Sequence, residues 1–228
     1  MIPAGPSDAL GLALMDDKES TSLRLKLRGI ARTPIRSVQP DVLVKVRGRV
    51  RLRGAALAAP VTGTPCALYC LDAVDTPVSL HLDGGELPSS HFPREIRGLD
   101  LLLDDGTACA LVRVDGAQLS LLGNWMTSLA TTQAQFLTAR GRPVPRQPSA
   151  GGEDHHEDRY LEYRELKVVP GELVTLFGCA IYEANPDPSR AVRQGAYRAP
   201  QHRCVFAVSP TSPLCIIQER VVALDAIG

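Results

Sequence analysis

Val42–Arg53, VLVKVRGRVRLR, restricts the fold more than any other segment. Val42, Val44, Val46, Val50 and Leu52 alternate with Lys45, Arg47, Arg49, Arg51 and Arg53. Successive side chains of a strand point to opposite faces, so this period of two puts the apolar set on one face and all five cations on the other. Such a strand lays its apolar face on a core and leaves its cations outside. Gly48 falls on the apolar face, where it marks a bulge or a close backbone approach.

The other patterns are also short and strand-like. Leu99–Leu103 and Ala108–Val114 predict a hairpin across Asp104-Asp105-Gly106-Thr107, because Asp-Gly supplies the positive φ angles that a tight turn needs. Tyr160–Val169 and Glu172–Glu183 read as strands joined at Pro170-Gly171. Leu23–Ile30 and Pro65–Val74 read as strands. Asp75–Arg97 reads as a long loop with a short strand at Val78–Leu82. His202–Val208 and Pro213–Gln218 read as a closing hairpin. Helical spacing is clearest at Gly123–Arg140, through Trp125, Leu129, Gln133, Phe136 and Leu137, with a shorter helix near Asp8–Met15. The fold class expected is mainly β (β-rich α+β): an antiparallel, OB-like or barrel/sandwich domain with one short helix. VKVRGRV (Val44–Val50) and VTLFGCAI (Val174–Ile181) echo each other around a glycine, as two strands of one barrel would.

Residues 1–32 are expected to be a partly disordered leader, 33–220 the β-rich domain and 221–228 a tail. Lys+Arg and Asp+Glu balance at 25 each, so global charge favours neither nucleic acid nor an anionic membrane, and only local patches can. Aromatics are 4%, which argues mildly against a stacking platform for single strands. No stretch reaches the roughly 18 apolar residues of a membrane span, and the N-terminus lacks a basic signal region; the expectation is a cytoplasmic protein. Six scattered cysteines without a CxxC read as reduced thiols, with no zinc site and no cofactor.

Several segments, in order, resemble one known domain: TPIRSVQPDVLVKVRGRV (Thr33–Val50), LAAPVTGTPCALYCLDA (Leu57–Ala73), LDLLLDDGTACALVRVDGAQL (Leu99–Leu119), FLTARG (Phe136–Gly141), YLEYRELKVVPGELVTLFGCA (Tyr160–Ala180) and PLCIIQER (Pro213–Arg220). The chain resembles the GIDE (BAM) domain of mitochondrial membrane-anchored ubiquitin ligases and of many bacterial proteins. The matching positions include Gly48, Pro60, Cys66, Asp105, Gly106, Ala117, Glu165, Gly171 and Gly178, to which the resemblance gives structural roles. Family members usually carry transmembrane helices, and the ligases carry a zinc-binding RING. This sequence shows neither, so ubiquitin transfer is not carried over. The resemblance implies a non-enzymatic interaction or scaffold module acting through a protein partner.

Two features compete with that reading. The Lys45–Arg53 stripe would span about 26 Å, comparable to several phosphates. It suggests a nucleic-acid or anionic-lipid partner, against a solvated barrel exterior whose charges pair with acidic neighbours. GGEDHHEDR (Gly151–Arg159) places His155 and His156 among four acids, which read as a solvated loop rather than a metal site. Glu165 is expected to make a structural hydrogen bond or ion pair. Nothing resembles a nucleophile elbow or a phosphate loop, so no catalytic residue is assigned.

Overall fold

The structure is a computed structural model; it describes residues 11–78, 90–127, 136, 138, 158–185, 202–209 and 212–219. The chain enters as β1 (Ala13–Leu14) and α1 (Asp17–Arg28), followed by the long strand β2 (Leu43–Leu52). A small ribbon, β3 (Leu57–Ala58) with β4 (Pro65–Cys66), leads into β5 (Leu68–Val78), β6 (Ser90–His91) and β7 (Glu95–Gly98). Next come β8 (Leu101–Asp104), β9 (Cys109–Val112), β10 (Gln118–Ser120), β11 (Met126–Thr127), β12 (Asp158–Val168) and β13 (Leu173–Ala184). β14 (His202–Phe206) and β15 (Cys215–Gln218) complete the order.

β2, β8, β9, β14 and β13 pair in that sequence, and β13 pairs back onto β2, closing a five-stranded barrel. Numbered along the chain, the barrel strands run first, second, third, fifth, fourth and back to first, an OB-like Greek-key ring. Most ladders are antiparallel, as expected, but β14–β9, β10–β15 and β1–β10 are parallel. A second sheet, β11-β12-β5-β6 with β7 also on β5, lies beside the barrel in chain connectivity.

The alternation in β2 holds along its length. Val44, Val46, Gly48 and Val50 are buried and the intervening cations are not. Gly48 is a close approach, and the alternation runs through it without a bulge. A Cβ there would sit 2.7 Å from the Asp104 carbonyl oxygen and 2.9 Å from Leu103 Cγ. Gly48 lies where β2 passes from β13 to β8: Arg49 is in register with both Leu173 and Asp104. The sequence echo is the β2–β13 ladder itself, with Gly48 opposite Val174 and Gly178 opposite Val44. The barrel interior is filled by Val46, Val50, Leu101, Leu103, Val112, Leu176 and Phe206. Leu71, Ala73, Tyr163 and Phe136 form a smaller cluster on the second sheet.

Several expectations are corrected. Leu23–Ile30 is helix, not strand, up to Arg28, and residues 13–28 of the expected leader carry β1 and α1. Of the expected Asp8–Met15 helix, residues 8–10 lie outside the described residues and Ala13–Leu14 is strand; α1 begins at Asp17, where Asp16 and Glu19 form a reciprocal capping box (Glu19 N–H to Asp16 Oδ1, 2.7 Å; Asp16 N–H to Glu19 Oε2, 3.2 Å). In the predicted Gly123–Arg140 helix, Phe136 and Thr138 are helical, but Trp125 is outside any helix and leads directly into β11, which pairs with β12; Leu129, Gln133 and Leu137 lie outside the described residues. Within Asp75–Arg97, β5 continues to Val78, and β6 and β7 occupy part of the expected loop. Finally, β14 and β15 do not pair with each other. They lie end to end along β13, and Ser209 and Ser212 exchange backbone hydrogen bonds between them. The His155/His156 loop and the 221–228 tail lie outside the described residues.

Because the atom facing Gly48 is backbone, the clash cannot be relieved by rotating a side chain. Gly48→Ala is therefore expected to destabilise the fold by about 1–3 kcal/mol. Gly54→Ala, where a Cβ meets nothing within 4 Å, is expected to change little. Urea unfolding of the two variants compares them.

Candidate functional site

The cations of β2 meet two different environments. At its C-terminal half, Arg49 donates to the Gly171 carbonyl at 2.9 Å, Arg51 pairs with Asp104 at 2.6 Å and Arg53 with Asp100 at 3.9 Å. Arg51 and Arg53 thus have acidic neighbours, whereas Arg49 meets a neutral carbonyl. At the other half, Lys45 Nζ donates to the Leu27 carbonyl at 2.7 Å, a neutral acceptor at the end of α1. The nearest carboxylate to Arg47 is Glu219, at 3.8 Å, and Arg47 Nε is buried with no hydrogen-bond partner among the described residues.

This half opens into a cleft of about 900 Å³ between α1 and the barrel. The helix supplies one wall. Its cap fixes its start, and its contact face (Ser20, Leu23, Arg24, Leu27) repeats at helical spacing. Leu27 is its only buried residue. Arg24 clamps the helix to the barrel, donating to Ser120 Oγ at 3.1 Å, the Ser120 carbonyl at 3.0 Å and the Gln218 carbonyl at 2.9 Å. On the cleft lining stand six cations (Arg24, Arg28, Arg32, Lys45, Arg47 and Arg164) and two carboxylates, Asp17 and Glu219. Glu219 also accepts from Thr175 Oγ1 at 2.6 Å. Arg28, Arg32 and Lys45 make no ion pair among the described residues, whereas Arg164 pairs with Asp72 at 2.8 Å. Arg32 and Arg47 also line a second groove, which follows the outer face of β2 to Asp104–Gly106.

The stripe thus marks one wall of the site, and five further cleft residues were not singled out from the sequence: Arg24, Arg28, Arg32, Arg164 and Glu219. Pairing brings them together from distant positions. Capping-box recognition at Asp16–Glu19 would have exposed the helical pair Arg24 and Arg28.

The other sequence-selected residues sit at structural joints. Asp105 Oδ2 accepts from the Ile35 N–H at 2.7 Å, while its Oδ1 accepts from the Thr107 N–H, Thr107 Oγ1 and the Ala108 N–H. This ties the β8–β9 turn to the segment entering β2. Gly106 and Gly171 take φ of 82° and 84°, the left-handed angles their turns require. Gly178 passes close to the 213–214 backbone, where a Cβ would be 3.2 Å from the Pro213 carbonyl. Pro60 opens the turn between β3 and β4. Cys66 and Ala117 are fully buried.

Glu165 anchors that same turn. It accepts from the Val61 N–H at 2.7 Å, from the Thr62 N–H and hydroxyl, and from Lys167 Nζ at 3.0 Å, with its side chain 2% exposed. Burial by itself would raise its pKa, but the hydrogen bonds from Thr62, Val61 and Lys167 outweigh it and hold the carboxyl below its usual range. The same balance holds Asp72 low between Arg94 and Arg164, and Asp105 low in its turn.

Burial raises the Cys70 thiol to about 12 and the Cys66 and Cys204 thiols to about 11, so at neutral pH they are protonated and poor nucleophiles. All six cysteines are free. Among the described residues no group of three His, Cys, Asp or Glu could hold a metal ion, and no helix is long and apolar enough to cross a membrane. No family model, curated protein or solved structure matches the chain.

The low carboxylates set a sign for pH dependence. Their stabilisation is complete above their unfolded values, 3.8 for the aspartates and 4.5 for the glutamate, and is lost as pH falls through the lower folded values. The unfolding midpoint is expected to drop steeply below about pH 4. Glu165→Gln is expected to lower stability at neutral pH by about 1–3 kcal/mol and to make the acid limb shallower. Thermal unfolding across the pH range checks both.

Proposed function

We propose that this chain is a non-catalytic binding module whose cleft between α1 and β2 takes an anionic partner. The reading keeps the interaction role that the GIDE resemblance implies and gives the partner a charge. One observation carries it: a chain of zero formal net charge gathers six cations and two carboxylates around one cleft. Like charges in a partly desolvated cleft repel one another and destabilise the fold, unless the site is used by something negative. Low-dielectric walls focus their field toward a ligand, whereas the same charges spread on an open face would be screened. A protein scaffold using a neutral apolar face is the weaker reading, because it leaves this concentration of charge without a role.

The test is calorimetric binding of inorganic tripolyphosphate at low and high salt. Binding that weakens with salt and falls about tenfold or more in Lys45→Ser/Arg47→Ser supports the proposal. Lys18→Ser and Arg53→Ser, outside the cleft, are expected to bind as the wild type does. Salt-independent binding, or equal binding by the cleft variant, would contradict it.

A further inference from the structure

We infer that the anionic partner is a single-stranded nucleic acid, with its backbone along the β2 cations and one base on Trp125. The inference rests on the anion-binding reading of the cleft and adds the class of ligand.

Three observations carry it. The first is length. The cleft continues into the groove along β2, and Arg32 and Arg47 belong to both. The outward residues Lys45, Arg47, Arg49 and Arg51 rise about 20 Å along the strand, which suits a chain of phosphates better than one small anion.

The second is recession. Arg47 is 37% exposed at its side chain, and Lys45 is held against the end of α1. A flat bilayer or a wide duplex cannot follow cations set behind a helix, whereas a thin single strand can.

The third is Trp125. The chain's sole tryptophan stands 50% exposed beside the cleft-lining residue Asn124. The guanidinium of Arg164, itself a lining residue, lies 5.8 Å from its ring centre. An exposed indole costs hydration free energy, and an Arg against it helps fix its orientation. Every base has a π-face to offer such a ring, while an acidic peptide offers none. With one aromatic, stacking adds to a mainly electrostatic affinity. Binding is therefore steep in salt and tolerant of sequence.

The experiment uses the full chain and three probes: a short oligothymidylate, tripolyphosphate and a poly-glutamate peptide. Trp125 fluorescence reports the site alone, because no other tryptophan is present. The oligonucleotide is expected to bind more tightly than tripolyphosphate or poly-glutamate and to quench Trp125. Trp125→Leu, followed by anisotropy of a labelled oligonucleotide, is expected to lose roughly 5- to 150-fold in affinity while binding tripolyphosphate unchanged. Lys45→Ser and Arg47→Ser are each expected to reduce the salt slope by about 0.7. Circular dichroism checks that the variants fold.

Unquenched binding of the oligonucleotide, no effect of Trp125→Leu, or tighter binding of poly-glutamate would overturn the inference while leaving the anion site standing. No binding of any probe would overturn both.

Discussion

The structure depends on one close approach. β2 closes the barrel because it can pair with β13 over one half and with β8 over the other, and the passage between them occurs at Gly48. A side chain there would collide with the carbonyl of Asp104. With no side chain, the strand curls without leaving the alternation, so Val44, Val46 and Val50 still point inward and Lys45, Arg47, Arg49 and Arg51 outward. A bulge would have turned half of the stripe into the core. The glycine therefore determines both the barrel's closure and the direction of its charges.

Once the cations face outward, their neighbours decide what each can do. The turns at Asp104–Gly106 and Pro170–Gly171 reach the C-terminal half of β2 and supply a carboxylate and a carbonyl to Arg51 and Arg49. Exposed pairs of this kind contribute little to stability, but Asp104 offsets the Arg51 charge, while the Gly171 carbonyl orients Arg49 and leaves its charge in place. The other half faces α1, whose C-terminal carbonyl at Leu27 holds Lys45 and whose own Arg28 adds to the positive field. The helix sits lightly on the barrel, through Leu27 and the Arg24 clamp, and so forms a wall rather than a plug. A regular strand thus becomes an asymmetric site through the elements laid against its two ends.

Local chemistry made part of this legible in the sequence. The alternation of β2, the Asp-Asp-Gly-Thr turn and the Pro-Gly turn are decided by residues next to one another, and they stand where the pattern put them. What escaped was decided at a distance. Leu23, Leu25 and Leu27 alternate as a strand would, yet the Asp16–Glu19 cap starts a helix in which Leu23 and Leu27 share a face and Leu25 is exposed. The final two strands look like a hairpin, but a short turn sets them in line so that both extend the edge of β13. Trp125 fits a helical period and is drawn out of it by pairing of the next residues with β12. The cleft suffers most from this: its cations come from α1, the segment between α1 and β2, β2 and β12, and only the β2 share is a pattern in the sequence.

The central claim is that positive charge gathers in excess at the α1 end of β2, six cations to two carboxylates, whereas at the other end Arg51 and Arg53 face Asp104 and Asp100. Anomalous diffraction from crystals soaked in tungstate, a compact dianion, tests it most directly. Tungstate is expected first in the α1–β2 cleft among Arg28, Arg32, Lys45 and Arg47, and more weakly at Arg51 and Arg53, which face Asp104 and Asp100. Anions bound at Arg51 and Arg53 with an empty cleft would contradict it.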